Sequence, residues 1–162
     1  MTQKRSAGLL LFRRTGEPPG DDGPAIEVLL GHLGGPLWAG RDAGGWGIPK
    51  GEYEPEESPR DAARREFTEE LGLPPPDGDY LPLGEVVLTS GKRVTIWAVE
   101  ADLDPALVEP GTFTMEWPPH SGTEQEFPEL DRVAWFPPQV AESKLMASQF
   151  PFLERLLALL AG

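Results

Sequence analysis

Three features of the chain predict an α+β fold. Short runs rich in Val, Ile, Leu and Phe at 6–13, 26–33, 81–89, 93–101 and 130–136 have the length and composition of strands. A sharply punctuated helix lies at 59–71, and Leu153, Leu156, Leu157 and Leu160 recur at helical spacing near the end. These elements do not alternate as βαβ units, which disfavours a doubly wound parallel sheet.

The first two runs flank TGEPPGDDGPA, whose Gly, Pro and Asp predict a surface turn and hence a hairpin. Residues 34–51 are glycine-rich and read as irregular, with Trp38 and Trp46 embedded in them. For the helix, Ser58 is the N-cap, Pro59 suits the first helical position, and Asp61 completes a capping-box spacing. Gly72 supplies the C-cap, and Pro74, Pro75 and Pro76 prevent continuation. The runs 81–89 and 93–101 flank a Ser90-Gly91 turn, while 105–128 reads as loop. A helical region follows from about 139 to 160, with a break expected at Pro151.

A length of 162 residues suits one domain, expected to span 1–162. The 27 Asp and Glu outnumber the 14 Lys and Arg, so the chain lacks the basic surface that nucleic-acid polymers require. An acidic protein can hold an anionic substrate through a divalent cation. With no cysteine, disulfides, thiolate zinc sites and cysteine nucleophiles are excluded. The apolar run near the N-terminus is too short for a signal peptide or a membrane span, so a cytoplasmic protein without membrane association is expected.

The acids concentrate in GEYEPEESPRDAARREFTEELGL, residues 51–73, which holds eight carboxylates. On a helical wheel Glu66, Glu69 and Glu70 share one arc, beside an apolar stripe of Ala63, Phe67 and Leu71. Like charges so placed weaken a bare helix and become favourable around hard cations such as Mg²⁺. A solvated surface helix would explain the acids alone. It does not explain the preceding glycine turn, the Pro49-Lys50-Gly51 run and Arg65 among the acids, which together suit a phosphate-and-metal site.

The stretch resembles the Nudix box, G-x5-E-x7-R-E-U-x-E-E-x-G-U with U bulky and apolar. Gly51, Glu57, Arg65-Glu66-Phe67, Glu69-Glu70 and Gly72-Leu73 match it in register, Phe67 being a less usual but still bulky apolar residue. The resemblance implies a Nudix-type α/β/α sandwich, with a mixed sheet between the box helix and a C-terminal helix. It implies hydrolysis of a pyrophosphate bond in a nucleotide with Mg²⁺ or Mn²⁺ as cofactor. By that resemblance Glu69 and Glu70 are the main metal ligands, with Glu66 a third ligand directly or through water. Arg65 ties Glu57 and its loop to the helix, and Gly51 lets backbone approach the metal or phosphate. Lys50 contacts substrate phosphate or faces solvent.

In many Nudix proteins a glutamate before the last strand completes the site as general base. Here Glu129, six residues before Trp135, is the first choice and Glu126 the second. GGWGIPKGEYEPEESP resembles the dinucleoside polyphosphate branch, so the leading reading is a nucleotide pyrophosphohydrolase acting on such a substrate. Hydrolysis of oxidised nucleoside triphosphates or nucleotide sugars, and a non-catalytic nucleotide-binding module, are the alternatives. Trp38, Tyr53, Phe113 and Trp117 are candidates to stack a base or to anchor loops. Trp97 and Trp135 read as core, and His32 and His120 stand isolated without ligand spacing. The C-terminal leucines close the core or form a dimer, leaving monomer and homodimer both open.

Overall fold

Strand pairing starts from the long first run, where alternate residues of Arg5–Arg14 (β1) point to opposite faces and nearly all are buried. In the computed structural model, which describes residues 4–18, 20 and 23–161, β1 is the hub of a mixed sheet. It pairs antiparallel with Ile26–Leu33 (β2) at its C-terminal end and with Lys50–Tyr53 (β4) at its N-terminal end. On its other edge it runs parallel to Arg93–Glu100 (β6), which pairs antiparallel with Tyr80–Val87 (β5). Trp46–Gly47 (β3) and Leu130–Phe136 (β9) pair with β2. The predicted hairpin is thus present, closed by Thr15 N–H donating to the carbonyl of Ala25. Pro19, Asp21 and Asp22 of its turn lie outside the described residues.

Both faces of the sheet are covered, which is why its inner strands read as continuous apolar runs. Leu9, Leu11, Leu29 and Val99 pack with Ala62, Ala63, Phe67 and Leu71 of the helix Pro59–Leu71 (α1). On the opposite face Leu10, Phe12, Val28 and Ile96 meet Phe152, Leu153 and Leu156 of the helix Phe150–Ala161 (α3). The leucine stripe therefore closes the core, although Leu159 remains exposed. Each cap of α1 forms as expected: Ser58 Oγ accepts from Asp61 N–H at 3.2 Å, and Gly72 adopts φ 70°. Among the described residues no helix is long and apolar enough to cross a membrane.

Four expectations about the fold need correction. The segment 105–128 is not all loop: Thr112–Glu116 (β7) and Glu124–Pro128 (β8) form a separate antiparallel hairpin. Residues 34–51 are not wholly irregular, since β3 and the start of β4 lie in them, pinned by long-range pairing. The helical break precedes Pro151, at 145–149, after Pro138–Lys144 (α2). Pro151 opens α3 instead, where its missing N–H costs no helical bond. Trp97 and Trp135 are also only partly buried at the edge of the core, Trp135 carrying the guanidinium of Arg13 at 4.3 Å.

Candidate active site

The site begins with Gly51 on β4, opposite Ala7 of β1. A Cβ at Gly51 would fall 1.9 Å from a carboxylate oxygen of Glu66, so only glycine leaves room for that side chain. Glu66 is buried at 8% exposure, and desolvation raises its pKa against the opposing pull of Arg65.

Arg65 organises the exposed side of the cluster. Its Nε and Nη2 donate to the two oxygens of Glu57 at 2.9 Å each, a bidentate fork that ties the loop before α1 to the helix. Its Nη1 donates to Glu66 at 2.8 Å and to Glu69 at 3.0 Å. Glu57, followed by the other acids, holds the guanidinium above its ordinary value, and Arg65 in turn lowers Glu57.

Glu70 lies one helical turn further along, partly buried, and its pKa is pushed up to about 8. Desolvation is the main cause, and the charges of Glu129 and Glu66 add to it while Lys50 opposes. Glu129 sits on an exposed rim, its carboxyl raised by desolvation. Its backbone is clamped on both sides: its N–H donates to Gly111 at 2.7 Å and its carbonyl accepts from Gly34 at 3.0 Å. Glu126 lies instead in the exposed β8 arm opposite Thr114.

On the sheet side, Lys50 is partly buried, and its ammonium pKa is pushed down by desolvation and then by Lys92. Lys92, just after the β5–β6 turn, donates to Glu52 at 3.3 Å and was not singled out by the sequence. Its only local trace is a basic pair following Ser90-Gly91. Tyr53 lines a cleft of about 540 Å³ beside the box, together with Lys4, Arg5, Glu57 and Arg65. The larger cleft, about 690 Å³ and lined by Arg13, Arg14, Asp79 and Glu100, lies at the opposite end of β1 from these acids.

The aromatic candidates scatter. Trp38 is partly buried with Arg41 over its ring at 5.4 Å, and Phe113 packs on Phe127 in the β7–β8 hairpin. Trp117 is half-buried at the tip of that hairpin. His32 is not isolated: it is fully buried and bonded to Asp131, a contact 99 residues apart in sequence. His120 is exposed, with its backbone N–H on Glu116.

Among the described residues, no three acidic or histidine side chains already stand in joint metal-ligand geometry. Glu66 and Glu69 are turned to Arg65. The donor set nevertheless fits a hard divalent cation: carboxylate oxygens, like charges crowded around a desolvated Glu70, and a Gly51 whose missing Cβ leaves room for the Glu66 carboxylate.

A mixed sheet held between an arginine-stapled acidic helix and a closing leucine helix is the architecture of a Nudix-type sandwich. The NUDIX domain model matches residues 2–156, and the chain belongs to the Nudix hydrolase family. Nudix enzymes cleave pyrophosphate bonds and generally use divalent metals. Among solved structures, the chain is similar to a C. elegans Ap4A hydrolase in a binary complex, at 22% identity and TM-score 0.66 over 97% of this chain and 98% of that one. It is similar to the NUDIX domain of Shewanella oneidensis NrtR complexed with ADP ribose, at 17% identity and TM-score 0.59 over 96% and 87%. A Nudix hydrolase from M. smegmatis, RenU, matches at 25% identity and TM-score 0.56 over 97% and 85%. No curated protein sequence matches the chain.

Proposed function

We propose that this chain, acting as one domain in the cytoplasm, is a Mg²⁺- or Mn²⁺-dependent pyrophosphohydrolase of nucleotides, with a dinucleoside polyphosphate as the leading substrate. The observation that carries the reading is the gathering of Glu66, Glu70 and Glu129 around a desolvated spot faced by Lys50. Likeness to an Ap4A hydrolase over nearly the whole chain supports the substrate class. When bound, the cation neutralises phosphate oxygens and lowers the pKa of water. Glu66, Glu69 and Glu70 hold it, with the Gly51 backbone close by. Glu129 takes the proton of the attacking water, because it is the acid outside the box that acts on Glu70. Arg65 and Glu57 fix the helix against its preceding loop. Lys50 and Lys92 bind substrate phosphates, and Tyr53 borders the cleft that receives the rest of the nucleotide.

Incubation with Mg²⁺ and a panel of diadenosine polyphosphates, nucleoside triphosphates, oxidised triphosphates, ADP-ribose and nucleotide sugars tests the substrate class. Fastest turnover of a diadenosine polyphosphate supports the reading, and its products name the phosphorus attacked. Faster turnover of another member reassigns the substrate, and an intact panel sinks the enzymatic reading.

Two variants probe the phosphate and glycine contacts. Lys92→Ala is expected to raise KM for the polyphosphate about tenfold with kcat nearly unchanged, as for an interaction made equally in ground and transition states. Steady-state kinetics showing a lowered kcat at constant KM would contradict that role. Gly51→Ala drives a methyl group into Glu66 and is expected to lower kcat/KM about 100-fold by misplacing that ligand. Retention of wild-type kinetics would mean the Glu66 carboxylate need not sit there.

A further inference from the structure

His32 and Asp131 form a link, buried at its histidine end, that the proposed chemistry leaves unused. His32 has no exposed surface, stacks edge-on against Trp46 at 5.3 Å, and places Nδ1 2.9 Å from Asp131 Oδ1. Its Nε2 contacts the carbonyl of Arg41. Burying a polar ring at this depth is costly unless its nitrogens meet polar partners, and here Nδ1 faces a carboxylate oxygen and Nε2 a carbonyl oxygen.

The link sits at a break in strand register. Gly31 pairs with Val133 and His32 with Arg132, but Leu33 pairs with Leu130, so Asp131 is an extra residue on β9. Residues three apart on an unbroken strand face opposite sides. Leu130 and Val133 nevertheless share the core beneath α1. The bulge restores that parity, and it therefore decides which way the chain before Leu130 leaves the sheet. Immediately beyond it lies Glu129, whose carbonyl is held by Gly34 on the far side of His32. The fit there is close, since a Cβ at Gly34 would lie 1.9 Å from the carbonyl oxygen of Pro128.

We infer that His32 is a positioning residue for Glu129: by holding Asp131 in the β9 bulge, it fixes the direction in which Glu129 projects toward Glu70. The inference rests on the proposed role of Glu129. Bulges beside active sites re-aim side chains in this way, and here the aiming group is buried on the neighbouring strand.

The test compares His32→Leu, His32→Asn, Asp131→Ala and Glu129→Gln. Asp131 is partly exposed, so Asp131→Ala reports even where His32→Leu fails to fold. His32→Leu and Asp131→Ala are expected to lower kcat on the order of 10- to 100-fold, the scale of a roughly 1 Å misplacement, with KM held within about twofold. His32→Asn, which keeps a donor facing Asp131, recovers most of the loss. Added to Glu129→Gln, Asp131→Ala costs less than about twofold more, because the group it aims is gone.

Hydrogen exchange of the metal-free protein supplies a reading independent of turnover. The amides of Gly34 and Glu129 exchange about tenfold faster or more in Asp131→Ala, while those of α1 do not change. A normal kcat in Asp131→Ala beside a crippled Glu129→Gln overturns the inference alone. So does an equal loss in the Glu129→Gln background, or unchanged exchange at Gly34 and Glu129. Full turnover in Glu129→Gln overturns the role of Glu129 itself.

Discussion

Glu70→Gln is expected to lower kcat about 1,000-fold, while making the metal-free protein more stable above pH 8. The loss follows from removing one proposed metal ligand and its share of transition-state charge compensation, ~4 kcal/mol at 1.36 kcal/mol per tenfold. The gain follows from the same burial. Glu70 has its pKa raised from 4.5 to about 8, first by desolvation and then by Glu129 and Glu66. A raised carboxyl pKa means that the folded state binds the proton more tightly than the unfolded chain. The metal-free wild type therefore loses stability as pH rises from about 4.5, and the full penalty is present above about 8. The shift sets a ceiling near 5 kcal/mol, and screening at this partly exposed site reduces it to ~2 kcal/mol. Gln removes the charge and with it the penalty. Urea unfolding with chelator at pH 5 and pH 9 checks this: the variant gains at pH 9 and not at pH 5. Equal stability of the two proteins at pH 9 would show that Glu70 is not strained.

Phe67→Ala is expected to cost ~3–5 kcal/mol of stability, a large part of the ~5–15 kcal/mol typical of a domain. Phe67 is 1% exposed and packs with Leu9, Leu11, Leu29 and Leu71 where α1 meets the sheet. Its deletion leaves a cavity beneath the helix that carries the acids. Phe67→Leu keeps most of the volume and should cost less than ~1.5 kcal/mol. Because Phe67 packs into the apolar layer with Leu9, Leu11 and Leu29 while the Glu66 carboxylate lies over Gly51 and Glu69 is exposed, kcat of the folded Phe67→Leu fraction stays near wild type. Thermal unfolding with parallel kinetics separates the two effects. A Phe67→Ala cost under ~1 kcal/mol would mean that the acidic helix does not depend on this contact.

What could be read from the sequence was local. The caps of α1 at Ser58 and Gly72 lie within a few residues of the groups they satisfy, so the helix limits were legible. The box spacing placed Glu57, Arg65 and Glu66, and the structure brings them together through Arg65. The β7–β8 hairpin escaped because only one side of it is shielded: Phe113, Met115 and Phe127 are half-buried while Thr112, Thr114 and Glu126 face solvent. Prolines and glycines on both sides made the segment look like loop. The two-residue β3 has no pattern of its own and exists because β2 offers a free edge. Lys92 joins the site through Glu52, 40 residues away, and His32 finds Asp131 across the whole domain. Nothing in a window of neighbours encodes such meetings. They follow from the sheet order, in which β1 pairs with both β4 and β6, and β2 pairs with β9.

The acids of α1 are proposed to hold a divalent cation with which the protein hydrolyses a pyrophosphate bond. The most direct test is cleavage of a diadenosine polyphosphate, resolved by chromatography, for wild type and Glu70→Gln with Mg²⁺ and with excess chelator. Wild type is expected to cleave it with Mg²⁺ and not with chelator, and the variant to cleave it about 1,000-fold more slowly. Cleavage that persists through chelation, or that proceeds at wild-type rate in Glu70→Gln, would contradict the proposal.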